Sequence, residues 1–306
     1  MMTDLFQPLQ FNNGMTMKNR FMLAPMTNCQ SHEDGRLSDD EYHCLTMRAS
    51  GGFGLTMTCA SHVQAMGKGF PGQLGCFSDD HLAGLGRLAA GIKAEQSLAV
   101  VQLHHAGMRS PAKEIGGQPV CPSDNAETGA RALTGDEVEQ LKEDFVAAAV
   151  RVEKAGFVGV ELHGAHGYIL CQFHSPTINQ RTDQYGGTLE NRSRILFDII
   201  EDIRRRCSPG FLLGVRLSPE RFDLRLGEIR EIAQRLLSEG RIDFLDMSLW
   251  DSFKEPVEEE FKGRTLLSCF TDLERGDVQL GTAGKITSPN DAIRCLEAGV
   301  DFVMLG

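Results

Sequence analysis

The chain has 306 residues, 41% of them hydrophobic and 24% charged, enough to bury a large core at a length where an α/β barrel runs as one domain. Its 31 Lys and Arg against 42 Asp and Glu give a net charge of −11, which excludes the basic footprint that a duplex nucleic-acid partner requires. Nine cysteines are scattered without a C-x-x-C pair, a pattern of reduced thiols rather than of a disulfide framework, zinc ribbon or iron–sulfur site.

The N-terminus, Met1 to Phe6, lacks a basic region followed by an apolar run, and no later stretch is long and apolar enough to span a bilayer. The expectation is a soluble cytoplasmic enzyme with no membrane partner, and homo-oligomer formation stays open. Short apolar runs then alternate with amphipathic stretches. Strands are predicted at 20–26, 55–60, 98–104, 159–163, 212–217, 244–248, 279–283 and 302–305. Several are unbroken apolar runs, as parallel strands covered on both faces require.

Helix starts are marked by Ser38-Asp39-Asp40-Glu41 and Thr134-Gly135-Asp136-Glu137, both with capping-box spacing. After Thr134, Val138, Leu141, Phe145, Ala148, Ala149 and Val152 recur at helical spacing up to Gly156. Further helices are predicted over 190–206, 228–238 and 289–298. Long loops at 108–131 and 250–265 leave the C-terminal ends of strands, and the acidic Glu258-Glu259-Glu260 reads as a solvated face. Eight strands with seven intervening helices predict a (β/α)8 TIM barrel, a single domain over 1–306, ahead of an open doubly wound sheet. The first strand–helix junction, Ala24-Pro25-Met26-Thr27, carries no glycine-rich dinucleotide fingerprint. No eighth helix follows the last strand, so an uncovered groove is expected between the first and seventh helices and the domain reads as C-terminally incomplete.

Chemistry concentrates in His163-Gly164-Ala165-His166-Gly167-Tyr168, where a strand breaks at the catalytic mouth. Two imidazoles three residues apart on a tight turn can both donate an N–H to one oxygen. A tyrosine two residues on offers a weakly acidic phenol as proton source. The same histidines could instead be metal ligands with His104, His105 or Glu161. However, no H-E-x-x-H pattern supports a metal, and His104 and His105 should point to opposite sides of a strand.

The stretch from His163 to Arg194, with Tyr185-Gly186-Gly187-Thr188-Leu189-Glu190-Asn191-Arg192, resembles old yellow enzymes and related NADH:flavin oxidoreductases. So do Asn19 to Thr27, Gln102 to Gly107, Gly214 to Ser218 and Gly284 to Ser288, in the same order along nearly the whole chain. The resemblance implies bound FMN, reduced by NADH or NADPH, and a ping-pong hydride transfer from flavin N5 to the β carbon of an α,β-unsaturated carbonyl. His163 and His166 would bind the carbonyl oxygen and Tyr168 would protonate the α carbon. Pro25, Met26, Thr27 and Ala60 would pack around the flavin ring, with Thr27 hydrogen-bonding to it. Gln102 would pair with its pyrimidine edge, and Arg216 would stand where negative charge gathers on reduction. Gly284 and Lys285 would hold the phosphate, at the end of the pocket that Gly306 also lines.

Asn179, Arg181, Asp183, Tyr185 and Arg192 read as loop scaffolding, and Cys29 as a small apolar filler. The family's arginine after His-Ala-Gly is displaced here by Met108, with Arg109 next, which alters the substrate mouth. Rival readings keep the fold and cofactor but take nitro compounds, quinones or dioxygen, or make the chain a metal-dependent barrel hydrolase or a flavin-free binding protein.

Overall fold

The computed structural model describes residues 5–306. Eight parallel strands pair in sequence order: β1 (Phe21–Leu23), β2 (Leu55–His62), β3 (Leu98–His104), β4 (Gly159–Gly164), β5 (Leu212–Leu217), β6 (Phe244–Ser248), β7 (Gln279–Ala283) and β8 (Phe302–Leu305). β8 pairs with β1 and closes the barrel. The helices between them are α1 (Asp39–Ser50), α2 (Leu82–Ala94), α3 (Gly135–Lys154), α4 (Leu189–Arg206), α5 (Leu226–Glu239) and α6 (Pro289–Glu297). The connection from β6 to β7 carries no full helix, only the 3-10 turn Glu259–Phe261 and the one-turn helix Ser268–Thr271, so the expected seven full helices become six.

Alternation along the strands sorts two cores. Val160, Leu162, Leu213, Val215, Leu245, Met247, Leu280 and Val303 face the helices. Met22, Leu55, Met57, Val100, Leu212, Phe244, Phe302 and Met304 fill the barrel interior, and Leu9, Phe11 and Met17 of an N-terminal hairpin close its base. Two rings fit inside only because their neighbours are glycines. A Cβ on Gly281 would stand 1.9 Å from the Phe302 ring, and one on Gly214 would stand 2.1 Å from the Phe244 ring. The lower barrel is therefore packed solid, as barrel interiors are.

Thr134 and Glu137 form the expected capping box on α3, and Ser288 with Asp291 forms another on α6. At α1 the expectation fails. Ser38 Oγ accepts from the Glu41 N–H at 3.1 Å, but the Glu41 carboxylate turns inward and accepts from Ser31, Asn28 and Cys59. That carboxylate ties the loop after β1 to α1 and β2, and its hydrogen bonds offset the cost of burying it. The acidic run differs too. Glu258 accepts from the Leu226 and Gly227 N–H groups at the start of α5, where a carboxylate complements the helix dipole.

β1 is shorter than expected because Pro25 offers no N–H to a ladder. β2 runs two residues longer, past an irregularity between Met57 and Ala60. Outside β8 and β1, between α1 and α6, lies the expected groove, in part a cavity of about 400 Å³ lined by Phe6, Phe21, Ile286, Pro289, Ala292 and Leu305. Among the described residues no helix is long and apolar enough to cross a membrane.

Candidate active site

Because all eight strands run in one direction, their C-terminal ends share one face of the barrel, and every candidate residue of the sequence lies at or just below that face. His163 ends β4, and the chain then turns through His166 (φ 60°) and Gly167 (φ 72°). The left-handed conformation costs a non-glycine residue about 1 kcal/mol or more, and three contacts hold it. The His166 N–H donates to Ser218 Oγ at 3.0 Å, and its carbonyl accepts from Arg109 at 2.5 Å. Gln172, fully buried, donates to the Gly167 and Ala106 carbonyls and accepts from the Met108 N–H, tying this turn to the loop after β3.

The hydrogen bonds assign the tautomers. The Ala165 N–H donates to His163 Nδ1 at 3.2 Å, which leaves the His163 proton on Nε2. That atom lies 3.2 Å from His166 Nδ1, and His166 Nε2 lies 2.8 Å from Ser248 Oγ. Burial holds both rings neutral: His163 is pushed well below the usual histidine range, and His166 down to about 3, with the Arg216 cation adding to the effect. The two rings do come together, with centroids 4.9 Å apart. They do not aim two free N–H groups at one point, because the His163 N–H is directed at His166.

Tyr168 completes the cluster. Its ring is edge-on to His163 at 5.0 Å and to His104 at 4.3 Å, and the Arg109 guanidinium stands 5.1 Å from its centre. Arg109 thus does shape the mouth, as the displaced arginine led one to expect. His104 faces this cluster while His105 packs on Gly67, on opposite sides of β3 as predicted. Among the described residues no group of three His, Cys, Asp or Glu side chains stands close enough to hold a metal ion.

Below the histidines, four polar side chains from consecutive strands form one interior layer. Gln102 donates to Glu161 at 2.7 Å, and Arg216 Nε stands 2.9 Å from Asp246 Oδ2. The N–H of Arg216 does not point along that line, so the contact is an ion pair rather than a good hydrogen bond. Arg216 is 5% exposed, and Glu161 and Asp246 are fully buried.

The remaining candidates line the rim. Ala60 is buried, Pro25 half-buried, and Met26 and Thr27 are exposed. Gly306 lies against Met26: a Cβ there would stand 2.4 Å from the Met26 sulfur. Gly284 packs on Ser252, and exposed Lys285 pairs with Asp251 at 3.3 Å. Cys29, expected as a small apolar filler, is instead exposed, on a loop residue with φ 54°. The scaffolding residues behave as expected. Asn179 donates to the Phe173 and Tyr185 carbonyls, Arg181 pairs with Asp183, and Arg192 pairs with Glu228 at 2.8 Å.

Ser248, Asp246 and Gln172 were missed in the sequence. The alternation Phe244-Leu245-Asp246-Met247-Ser248 already placed two polar residues on the inward side of β6 and could have flagged them. Gln172 left no such signal.

A parallel barrel with a polar constellation at its C-terminal mouth defines a barrel enzyme, and the chain belongs to the NADH:flavin oxidoreductase / NADH oxidase family, whose model matches residues 4–306. It is 37% identical over 313 residues to the probable NADH-dependent flavin oxidoreductase YqiG of Bacillus subtilis, spanning 99% of this chain and 84% of that protein. An NADPH dehydrogenase of Bacillus subtilis is 31% identical over 313 residues, 100% of this chain and 91% of the relative. The structure of an old yellow enzyme homologue from Zymomonas mobilis superposes with a TM-score of 0.86 at 28% identity, covering 99% of this chain and 88% of the other. The protein is an old yellow enzyme family member, an FMN-dependent oxidoreductase that uses NADH or NADPH.

The mouth fits a flat flavin. The inward positions at the ends of β1, β2, β7 and β8 are small, namely Ala24, Ala60, Ala283 and Gly306, so a planar ring can lie across them. Arg216 and Gln102 supply polar groups beside this surface, and the Arg216 Nε–H, buried without a hydrogen-bond partner among the described residues, has capacity for an anionic edge.

Proposed function

We propose that this oxidoreductase, as one FMN-binding domain over 1–306, reduces the activated C=C bond of α,β-unsaturated carbonyl compounds. Pro25, Met26, Thr27, Ala60, Gln102 and Arg216 would hold the flavin ring, and Gly284, Lys285 and Gly306 its phosphate end. Bound FMN supplies the hydride relay, taking hydride from NADH or NADPH and returning it to the β carbon of the alkene.

The protein's own part is to polarise the carbonyl and deliver a proton. An oxygen seated between the histidine rings exchanges the His163–His166 bond for N–H···O bonds from His163 Nε2 and His166 Nδ1, the His166 ring taking its other tautomer while Ser248 Oγ donates to its Nε2. These bonds strengthen as enolate charge grows on that oxygen, so they act on the transition state more than on the bound substrate. Neutral imidazoles suit this role, since they stabilise the growing charge without surrendering a proton to it. Tyr168 then protonates the α carbon through its phenol, and Arg109, close to the Tyr168 ring, favours the negative charge left behind.

The observation that carries this reading is the three-ring cluster of His163, His166 and Tyr168 at one strand end. Tyr168→Phe tests it. Flavin reduction by NADH or NADPH should keep its rate, while enone turnover drops about 10²–10⁴-fold, the contribution of a positioned general acid. Equal loss in both half-reactions refutes proton delivery by Tyr168. Quinone reduction, which needs no carbon protonation, should survive the substitution.

A further inference from the structure

The interior layer beneath the mouth holds one cation and two carboxylates. Glu161 on β4 and Asp246 on β6 are both fully buried, and Arg216 on β5 lies between their strands. The other groups facing this layer bring no second charge. Gln102 is an amide, and His104 and His163, one step nearer the mouth, are held neutral by burial. Residues on β7, β8, β1 and β2 facing inward at this depth, such as Gly281, Met304, Met22 and Met57, are glycine or apolar. Two ionised carboxylates would therefore leave one buried anion without compensation, among the least favourable states a fold can contain.

Hydrogen bonding points the same way. Glu161 Oε1 accepts from Gln102 at 2.7 Å, but Glu161 Oε2 and both carboxyl oxygens of Asp246 are buried without a hydrogen-bond partner among the described residues. Three acceptors lack donors, and a proton on one carboxylate supplies one. Asp246 stands 2.9 Å from the Arg216 guanidinium, while the nearest hydrogen-bond partner of Glu161 is an amide. The ion pair therefore claims Asp246 as the anion.

We propose that Glu161 is a protonated, neutral carboxylic acid beneath the flavin-binding face and serves as a positioning residue for the redox step. With Glu161 neutral, the layer carries Arg216 and Asp246 alone and is neutral overall. An ionised Glu161 would place a net negative charge under the ring edge where negative charge gathers on reduction, and would make the flavin harder to reduce. Burial and the Asp246 charge both raise the Glu161 proton affinity, against the opposing pull of Arg216. Glu161 loses its proton only as pH rises, so the reducing driving force should weaken on the alkaline side.

The inference rests on Arg216 facing the flavin edge, but one arm of its test does not. Infrared spectra of the flavin-loaded protein at neutral pH should contain a buried carboxylic-acid C=O band that Glu161→Gln removes and Tyr168→Phe keeps. A spectrum unchanged by Glu161→Gln overturns the proposal whether or not FMN binds where proposed. The second arm is the midpoint potential of bound FMN. Glu161→Gln, which replaces one neutral group by another, should leave it near the parent value at pH 7 and flatten its extra alkaline fall. Asp246→Asn, which removes the anion, should raise it. If Glu161→Gln raises the potential at pH 7 as far as Asp246→Asn does, Glu161 is ionised in the parent and the proposal fails.

Discussion

His163 and His166 form a directed chain in which each ring's tautomer is set by its neighbour, from the Ala165 N–H through both imidazoles to Ser248. A phenolate, which mimics the enolate oxygen, should bind by replacing the link between the rings. Hydrogen bonds to a charged group contribute roughly 1.5–3 kcal/mol each. Replacing both histidines by alanine should therefore weaken phenolate binding at least a hundredfold in a spectroscopic titration, and unchanged affinity refutes the oxygen-binding role. Because His166 titrates only near 3, the parent's affinity between pH 5 and 8 should follow the ionisation of the phenol, with no inflection from histidine. The site was legible in the sequence to the extent that it is contiguous. His163, His166 and Tyr168 lie within six residues, whereas Ser248 reaches His166 from a strand about eighty residues on, through barrel closure that no local pattern encodes.

Among the elements, the strands were the most legible, because parallel strands buried on both faces are apolar throughout and end where glycine, proline or polar residues begin. Helices with strong caps and clean periodicity, α3 above all, follow their expected bounds. The connection after β6 was less legible, since Ser268–Thr271 is too short to carry a period and is placed by contacts such as Arg230 with Asp272. The position of the inward rings was also hidden, because it depends on a glycine directly opposite on the neighbouring strand rather than on the strand that carries the ring. Gly281→Ala tests that packing. Its Cβ would overlap the Phe302 ring, and since overpacking a dense core costs about 1–3 kcal/mol, urea unfolding should report a loss in that range. Adding Phe302→Leu, which vacates the ring's place, should recover part of it. If Gly281→Ala is neutral, the interior is looser than its contacts indicate.

For the molecule as a whole, the barrel mouth and its loops bury six of the nine histidines and half-bury a seventh, His166. Burial pushes His62 down to about 4 and His105, His166 and His174 to about 3, and it lowers His81, His104 and His163 as well. In the unfolded chain these rings take up protons near pH 6.5. Between that value and about 3 the unfolded state therefore binds protons that the folded state refuses. Stability from these groups is complete above pH 6.5 and is lost as pH falls, each ring contributing up to about 1.4 kcal/mol per pH unit within its window. The global charge acts the other way, since the net −11 shrinks on acidification and relieves repulsion. That repulsion is spread over a screened surface, whereas the histidine cost is local and repeated, so the histidines should dominate. Unfolding free energy measured by urea should thus fall steeply from pH 6.5 to 4.5, with a slope corresponding to several protons. His174, whose ring nitrogens are both buried without a hydrogen-bond partner among the described residues, gives the cleanest check. His174→Leu should reduce the slope by close to one proton and move acid unfolding to lower pH, while a slope that stays flat in the parent would mean that these rings take up protons without unfolding the barrel.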